Sequence, residues 1–183
     1  MALLNLKDFE DNELILVLAP SDRIQEVNVE ILKNFLNKKD TSCIYVTVAK
    51  PYKTIIKSLE KNGIKPDKLF FVDCATGLAT GNEEVQRSGN AIFCPPQMLS
   101  DISIAMSNFV DSIPKKENKT LILDTLSTLM LYNNAETVGK FMHAVTGKLR
   151  NWGVKSVILT MEEETDKEII SQISQFVDKV VKI

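Results

Sequence analysis

Histidine and cysteine are scarce in this chain, and their scarcity excludes several kinds of site. The 183 residues include one histidine, His143, so metal chemistry that needs several histidines is excluded. The three cysteines, Cys43, Cys74 and Cys94, are widely spaced and form no C-x-x-C pair. This spacing favours free thiols in a reducing compartment over a disulfide framework or a zinc site. We interpret the cysteines as small apolar side chains of the core.

Long apolar runs and an excess of one charge are also missing. Residues 1–13 carry Lys7, Asp8, Glu10 and Asp11, so we expect neither a signal peptide nor a transmembrane helix, and we expect a cytoplasmic protein. The net charge of −2 gives no long-range attraction to nucleic acid or to an anionic membrane. The tyrosines are not interleaved with basic residues, so nucleic-acid binding is not expected either.

Glycine-rich motifs that bind phosphate are absent. Two Gly-Lys pairs, Gly139-Lys140 and Gly147-Lys148, do not complete the motif G-x-x-x-x-G-K-[ST]. Other residues stand at the first glycine and at the final hydroxyl position: Asn134 and Phe141 in one case, Met142 and Leu149 in the other. The motifs G-x-G-x-x-G and G-x-S-x-G are missing too, which argues against a dinucleotide site and a hydrolase nucleophile.

Short apolar runs alternate with amphipathic segments along the whole chain. Such alternation indicates a mostly parallel sheet with helices on both faces, in one domain over residues 1–183. The predicted strands are 14–18, 43–48, 69–73, 121–124, 154–160 and 179–183. The predicted helices are 24–36, 52–62, 101–113 and 134–151, with a last helix opened by a capping box at residues 165–168.

One segment interrupts the alternation. Residues 74–96 contain Gly77, Gly81, Gly89 and the pair Pro95-Pro96, and show little periodicity. Irregular loops of this length are uncommon in compact domains and are often functional or disordered. We therefore keep two interpretations, a functional loop and an exposed excursion.

Acidic residues follow three of the predicted strands: Asp73, Asp124 and the run Glu162-Glu163-Glu164. The carboxyl ends of parallel strands meet at the edge where ligands usually bind, so a site for a divalent cation or a polar ligand is one interpretation. In the other interpretation, Asp73 and Asp124 accept hydrogen bonds from turn N–H groups, and the glutamates precede a helix N-terminus that favours negative charge.

Four segments together resemble the RecA-like ATPases, most closely their archaeal KaiC-like branch. They are residues 16–20, residues 44–51, residues 121–129, which include the Walker B-like run Leu121-Ile122-Leu123-Asp124-Thr125-Leu126-Ser127, and residues 152–160. The resemblance implies a three-layer α/β fold of the P-loop NTPase kind. It also implies that Asp124 holds magnesium through water, and that the chain assembles with copies of itself or with a protein partner.

The turn after the first strand departs from the family pattern. Residues 19–23 stand where the family has its phosphate loop, yet they contain no glycine, and Pro20 has no N–H. Asp22 is predicted to cap the next helix, with Gln25 as its capping-box partner, and so to occupy the donors that would bind phosphate. Arg23 is the only cation in this turn. We expect weak or no triphosphate binding there.

The turn after the second strand departs as well. The family has a pair of glutamates that activate the attacking water, and Ala49 and Lys50 stand in their place. Neither takes a proton at neutral pH. We therefore assign no catalytic residue and expect no cofactor, with ATP and magnesium as the alternative. The candidate ligand-binding residues are Ser21, Asp22, Arg23, Lys50, Asp124, Thr125 and Ser127, and Asp124 is the candidate metal ligand.

Three hypotheses about function follow. The first is a degenerate RecA/KaiC-like domain that does not hydrolyse ATP and acts as a regulatory or scaffolding subunit through protein contacts. The second is a sensor that binds a nucleotide or another small molecule at the carboxyl edge of the sheet, with residues 74–96 as a lid. The third is an enzyme of another class, for which the sequence offers no nucleophile–base pair.

Overall fold

A sheet of eight strands organises the part of the chain that this computed structural model describes, residues 13–81 and 86–183. The spatial order is β4-β5-β3-β2-β6-β7-β1-β8, and every neighbouring pair is parallel except β4 with β5. The strands are β1 (Leu14–Ala19), β2 (Thr41–Thr47), β3 (Leu69–Asp73), β4 (Gln86–Ser88), β5 (Ala91–Phe93), β6 (Asn118–Asp124), β7 (Lys155–Met161) and β8 (Lys179–Lys182).

Seven helices connect these strands within the described residues. They are α1 (Ile24–Leu36), α2 (Tyr52–Lys61), α3 (Thr76–Thr80), α4 (Leu99–Ser112), α5 (Leu126–Leu129), α6 (Ala135–Trp152) and α7 (Lys167–Ser174). Among them, none is long and apolar enough to cross a lipid bilayer. The prediction about a signal peptide concerns residues 1–13, of which 1–12 lie outside the described part.

The central strands are continuous apolar runs because both faces of the sheet are covered. Successive side chains of a strand point to opposite faces, so β1 supplies both layers of the core. Leu14 and Leu16 belong to the layer that includes Phe109 of α4 and residues of α6 and α7. Ile15 and Val17 belong to the layer under α1 and α2. The predicted three-layer α/β architecture with a mostly parallel sheet is confirmed.

The prediction of an irregular segment at residues 74–96 is wrong for the described residues in this range. They form α3, β4 and β5, and β5 pairs in parallel with β3 through Phe71 and Ala91. The sheet therefore has eight strands instead of the six expected. Strands β4 and β5 have three residues each, which is too short for a period of two to be recognised in the sequence.

Two of the predicted helix caps are wrong. Asp22 does not cap α1: the turn closes with Arg23 N donating to Pro20 O (3.0 Å), and the helix begins after Arg23 with no side-chain cap. The predicted capping box at residues 165–168 is also wrong, because Asp166 caps α7 by accepting from Glu168 N (2.7 Å). In contrast, Asn134 caps α6 as predicted, accepting from Thr137 N at 2.8 Å.

The three cysteines are buried free thiols, which confirms their interpretation as core side chains. Burial raises the pKa of Cys43 and of Cys94 to about 12 in each case, so neither thiol is a nucleophile at neutral pH.

The caps give a matched test of helix initiation. We expect Asn134→Ala to lower the free energy of unfolding by about 1 kcal/mol, the usual cost of losing an N-cap acceptor. Asp22→Ala removes an exposed side chain that caps nothing and should change it by less than about 0.5 kcal/mol. Urea denaturation of the three proteins measures both values. Equal losses for the two variants would contradict the assignment of the caps.

Candidate functional site

The carboxyl ends of four adjacent strands, β2, β6, β7 and β1, bring most of the sequence-predicted site residues to one edge of the sheet. Strand β6 lies between β2 and β7, and it ends at Asp124. Lys50 follows β2, and the turn of residues 19–23 follows β1. The edge is therefore the one that the sequence predicted, and the contacts within it decide which side chains act together.

Asp124 is held by two side chains from other elements. Its side chain lies on the same face of β6 as Ile122, the face that packs beneath α1 and α2. Asn28 of α1 donates from Nδ2 to Asp124 Oδ2 at 2.7 Å, and the Tyr45 hydroxyl of β2 donates to the same oxygen. Asn28 Nδ2 also donates to the Tyr45 hydroxyl oxygen. The expectation that Asp124 would accept from turn N–H groups is wrong.

Burial sets the electrostatics of this cluster, since Asp124 is 7% exposed and Tyr45 is fully buried. Burial raises the pKa of the Asp124 carboxyl, while the hydrogen bonds from Tyr45 and Asn28 and the charge of Lys50 oppose the rise. Burial, together with the nearby Asp124 carboxylate, raises the pKa of Tyr45 well above its ordinary value. The hydroxyl therefore keeps its proton at neutral pH and remains a donor to the carboxylate.

The turn after β1 stands apart from this cluster. The Ser21 N–H donates to Glu163 Oε2 at 3.3 Å, and Arg23 Nε lies 3.7 Å from Glu26 Oε2 in a partly exposed ion pair. The Asp22 side chain is exposed. These three predicted residues line no cavity with Asp124.

A cavity of about 230 Å³ opens beside Asp124, between α1 and α2 and above the ends of β2 and β6. Three of the predicted residues line it, Lys50, Asp124 and Thr125. Ser127 lies behind them, with its Oγ 3.1 Å from Thr125 Oγ1 and accepting from Met161 N at 3.3 Å. The apolar part of the wall consists of Ile24, Val29, Leu32, Ala49, Ile55, Leu59 and Met161.

Two important residues of this cavity, Asn28 and Tyr45, were missed by the sequence analysis. Asn28 lies on the buried stripe of α1 together with Val27 and Ile31. A polar residue within an apolar helical stripe is a signal that a buried partner exists, and it could have been recognised. Tyr45 lies within an apolar strand and gave no comparable signal, because a tyrosine is common in buried strands.

Asp73 and Glu162 have structural partners. Asp73 Oδ1 accepts from the N–H groups of Ala75 and Thr76, both at 2.8 Å, and Oδ2 accepts from Tyr52 N at 2.9 Å, which confirms its predicted role in a turn. Glu162 pairs with Lys182 of β8. In the described part of the chain, no group of three or more histidine, cysteine or acidic side chains is placed to hold a metal ion.

Larger hollows lie elsewhere in the described part of the chain, and one of about 430 Å³ lies beside Tyr52 and Phe71. One of about 420 Å³ lies between α6 and α7 around the exposed ring of His143, which stacks on Phe176 at 4.6 Å. Another of about 610 Å³ lies at the amino edge of the sheet, beside Trp152. None of these three hollows is lined by a residue that the sequence predicted for a site.

The chain matches one protein family over nearly its whole length. A family of unknown function, DUF7504, matches residues 15–183. The chain belongs to DUF7504. No curated protein sequence matches it.

Solved structures that are similar to this DUF7504 chain include three archaeal proteins. KaiC-like protein PH0186 from Pyrococcus horikoshii OT3 has a TM-score of 0.66 and 9% identity, over 93% of this chain and 70% of that one. Protein PH0321 from Pyrococcus horikoshii was solved with an unknown peptide. It has a TM-score of 0.65 and 14% identity, over 94% of this chain and 78% of that one. FlaH, a flagellar accessory protein from Methanocaldococcus jannaschii, has a TM-score of 0.53 and 12% identity, over 93% of this chain and 70% of that one. The fold is RecA/KaiC-like, and these low identities show the fold alone.

The buried carboxylate predicts a pH dependence of defined sign. Because the pKa of Asp124 is raised above its ordinary value of 3.8, the folded protein retains a proton that the unfolded chain releases in the window above 3.8. The free energy of unfolding should therefore fall as pH rises through that window. We expect wild type to lose stability relative to Asp124→Asn from pH 4 upward, measured by urea denaturation at several pH values.

Asp178 provides a control of opposite sign. Burial opposes the change, but hydrogen bonds from Arg150 and from the N–H groups of Leu14 and Glu13 together lower the pKa of Asp178 below 3.8. Relative to Asp178→Asn, wild type should gain stability as pH rises toward 3.8 from below. A wild type that gains stability over Asp124→Asn as pH rises would contradict the assignment for Asp124.

Proposed function

We propose that this chain is a RecA-like domain that does not hydrolyse ATP and acts as a regulatory or scaffolding subunit through contact with another protein. The observation that carries the proposal is the engagement of Asp124 by Tyr45 and Asn28. The resemblance to RecA-like ATPases implies that this carboxylate holds magnesium through water. Here it lies in a buried hydrogen-bond cluster, and releasing it would leave the buried Tyr45 and Asn28 donors without their acceptor.

The turn after β1 supports the same conclusion, because its residues do not fit a magnesium-bound triphosphate. Phosphate binding at such a turn uses free backbone N–H groups and a cation. Pro20 has no N–H, and the Ser21 N–H already donates to Glu163. Arg23 is paired with Glu26, and Asp22 adds a negative charge.

The residues that follow β2 also lack a base that could activate a water molecule for hydrolysis. Ala49 has no proton acceptor, and the Lys50 ammonium donates to Gln25 Oε1 at 3.2 Å. On the next strand, Asp73 accepts from the turn that follows it. Asp124 is the one carboxylate among the described residues that line the cavity, and its Oδ2 already accepts from Tyr45 and Asn28.

Exposed apolar side chains support the protein-contact part of the proposal. Met98 is 46% exposed, Leu131 76% and Tyr132 41%. The segments that carry them are joined, because Asn133 Nδ2 donates to Pro96 O at 2.9 Å. Exposed apolar groups of this kind mark interaction sites when they lie together. Among similar folds, PH0321 was solved with a peptide, and FlaH is named as an accessory protein.

A second candidate function is a non-hydrolysing sensor of a nucleotide or another small molecule. The cavity beside Asp124 favours this candidate, because it lies at the carboxyl edge of the sheet, where ligands of α/β folds bind. Its walls are mostly apolar with a few convergent polar groups, as is typical of small-molecule sites.

Nucleotide assays test the first proposal. We expect the purified chain to release no phosphate from ATP with magnesium above a protein-free blank, and Asp124→Asn to behave identically. We also expect no change in Tm with ATP, ADP or GTP. A ligand at a hundredfold its Kd adds about 2.7 kcal/mol, which raises Tm by roughly 5–10 °C in a domain of this size.

Magnesium-dependent turnover that Asp124→Asn abolishes would overturn the proposal. A saturable Tm increase with a nucleotide, without turnover, would replace the first candidate with the sensor.

Sedimentation analysis tests the protein-contact part, with a second copy of the chain as the partner that the RecA-like resemblance implies. We expect a mass that increases with concentration, and we expect Leu131→Asp to weaken association at least tenfold. Val180→Asp is the matched control, since Val180 is 40% exposed on the edge strand β8, at the far side of the sheet from β5. A monomer at all concentrations, or equal effects of both variants, would contradict self-association through Leu131.

A further inference from the structure

One oxygen of the Asp124 carboxylate has no partner within the described part of the chain. Both hydrogen bonds that the side chain accepts, from Asn28 Nδ2 and from the Tyr45 hydroxyl, fall on Oδ2, and no described residue donates to Oδ1. The fully buried side-chain atoms without a partner are Asn28 Oδ1 and Asn34 Nδ2, so Asp124 Oδ1 retains accessible surface. Because Asp124 lines the cavity between α1 and α2, Oδ1 is the carboxylate oxygen open to a molecule in that cavity.

The same carboxylate has no paired positive charge. Asp124 is 7% exposed, so it has lost most of its hydration, and a buried carboxylate is favourable only when hydrogen bonds or a counter-charge replace the lost water. Lys50 is the one cationic residue among the described residues that line the cavity, but its exposed ammonium donates to Gln25 Oε1 and forms no ion pair with Asp124. A cation inside the cavity would supply the missing counter-charge in a site of low dielectric constant.

The walls of the cavity suit an organic cation better than a metal ion. Val29, Leu32 and Ile55 belong to its apolar lining, which offers no ligand to a metal. Magnesium needs several oxygen ligands, whereas the described residues contain no group of three or more histidine, cysteine or acidic side chains placed to hold a metal ion. The volume of the cavity is about 230 Å³, and about 150 Å³ of apolar space suffices for benzene. An aromatic ring with a short aminoalkyl chain therefore matches both the size and the charge of the cavity.

We propose that this cavity binds a small primary amine in its ammonium form, whose N–H donates to Asp124 Oδ1. The apolar body of the amine packs between α1 and α2 against Val29 and Leu32. Asp124 Oδ2 keeps its contacts with Tyr45 and Asn28, so binding does not require the buried cluster to open. The inference rests on the sensor given above as the second candidate function, and it assigns that sensor a class of ligand and a contact atom.

Matched probes test the charge of the ligand. 2-Phenylethylamine carries an ammonium group at neutral pH, as lysine does, and 2-phenylethanol has nearly the same shape without a charge. Ligand-observed NMR and thermal shift with the purified full chain at neutral pH measure binding. We expect saturable binding of 2-phenylethylamine, and we expect 2-phenylethanol to bind at least tenfold more weakly, because only the ammonium group pairs with the carboxylate.

Two charge variants with opposite expected effects test the contact. Asp124→Asn removes the negative charge at nearly constant shape, so the preference for the amine over the alcohol should disappear. Lys50→Gln removes a positive charge that acts on the Asp124 carboxylate. The affinity for 2-phenylethylamine should therefore rise at least twofold in Lys50→Gln, while the affinity for 2-phenylethanol stays unchanged.

A second pair of variants locates the site. Val29 is half-buried in the wall, so Val29→Phe should fill the cavity and abolish binding, while Val29→Ala enlarges the cavity and should retain binding. Both changes leave Asp124 and its hydrogen-bond partners in place, so the Val29 pair keeps the test valid if Asp124→Asn does not fold.

Three results would each overturn the inference: no saturable binding of 2-phenylethylamine, equal binding of the amine and the alcohol, or amine binding that persists in Val29→Phe. The proposals fail separately. A saturable Tm increase with a nucleotide but no amine binding would keep the sensor and reject only the amine as its ligand. ATP turnover together with amine binding would reject only the non-hydrolysing function.

Discussion

The burial of the Asp124 carboxylate is the constraint on which the carboxyl edge of this sheet depends. A buried charge is tolerated only when hydrogen bonds replace the water that it loses. Tyr45 and Asn28 supply those bonds, and they belong to β2 and α1, so one carboxylate connects two neighbouring strands and a covering helix. The position of α1 over the sheet is therefore determined by polar contacts as well as by the apolar layer around Val27 and Ile31.

The same contacts create the cavity and give it its chemistry. Asn28 Nδ2 donates to both Asp124 Oδ2 and the Tyr45 hydroxyl, and Asn28 Oδ1 is buried without a hydrogen-bond partner among the described residues. Asp124 remains the one carboxylate among the residues that line the cavity, with both of its hydrogen bonds on Oδ2. An edge that resembles the magnesium site of an ATPase therefore holds its aspartate in contacts with the protein itself.

Much of the fold could be predicted from the sequence, because strands buried on both faces are continuous apolar runs and Asp124 necessarily ends one of them. The partners of Asp124 could not, since they depend on the register of β2 against β6 and on the rotation of α1, neither of which is local. Asp22 was expected to cap α1, but the turn from Pro20 to Arg23 places Arg23 at the N-cap position, and α1 begins at Ile24 as predicted. Strands β4 and β5 were too short to be recognised.

A Walker B-like run is therefore weak support for magnesium chemistry when it stands alone. In this fold the apolar residues before Asp124 form the core, and the aspartate has a structural use that requires no metal, because it joins β6 to β2 and α1. Only the hydrogen-bond partners of the carboxylate distinguish a magnesium-binding aspartate from a structural one. A carboxylate that faces free donors of a phosphate loop can serve a nucleotide, whereas one that accepts from a buried tyrosine and a buried asparagine already serves the packing of the sheet.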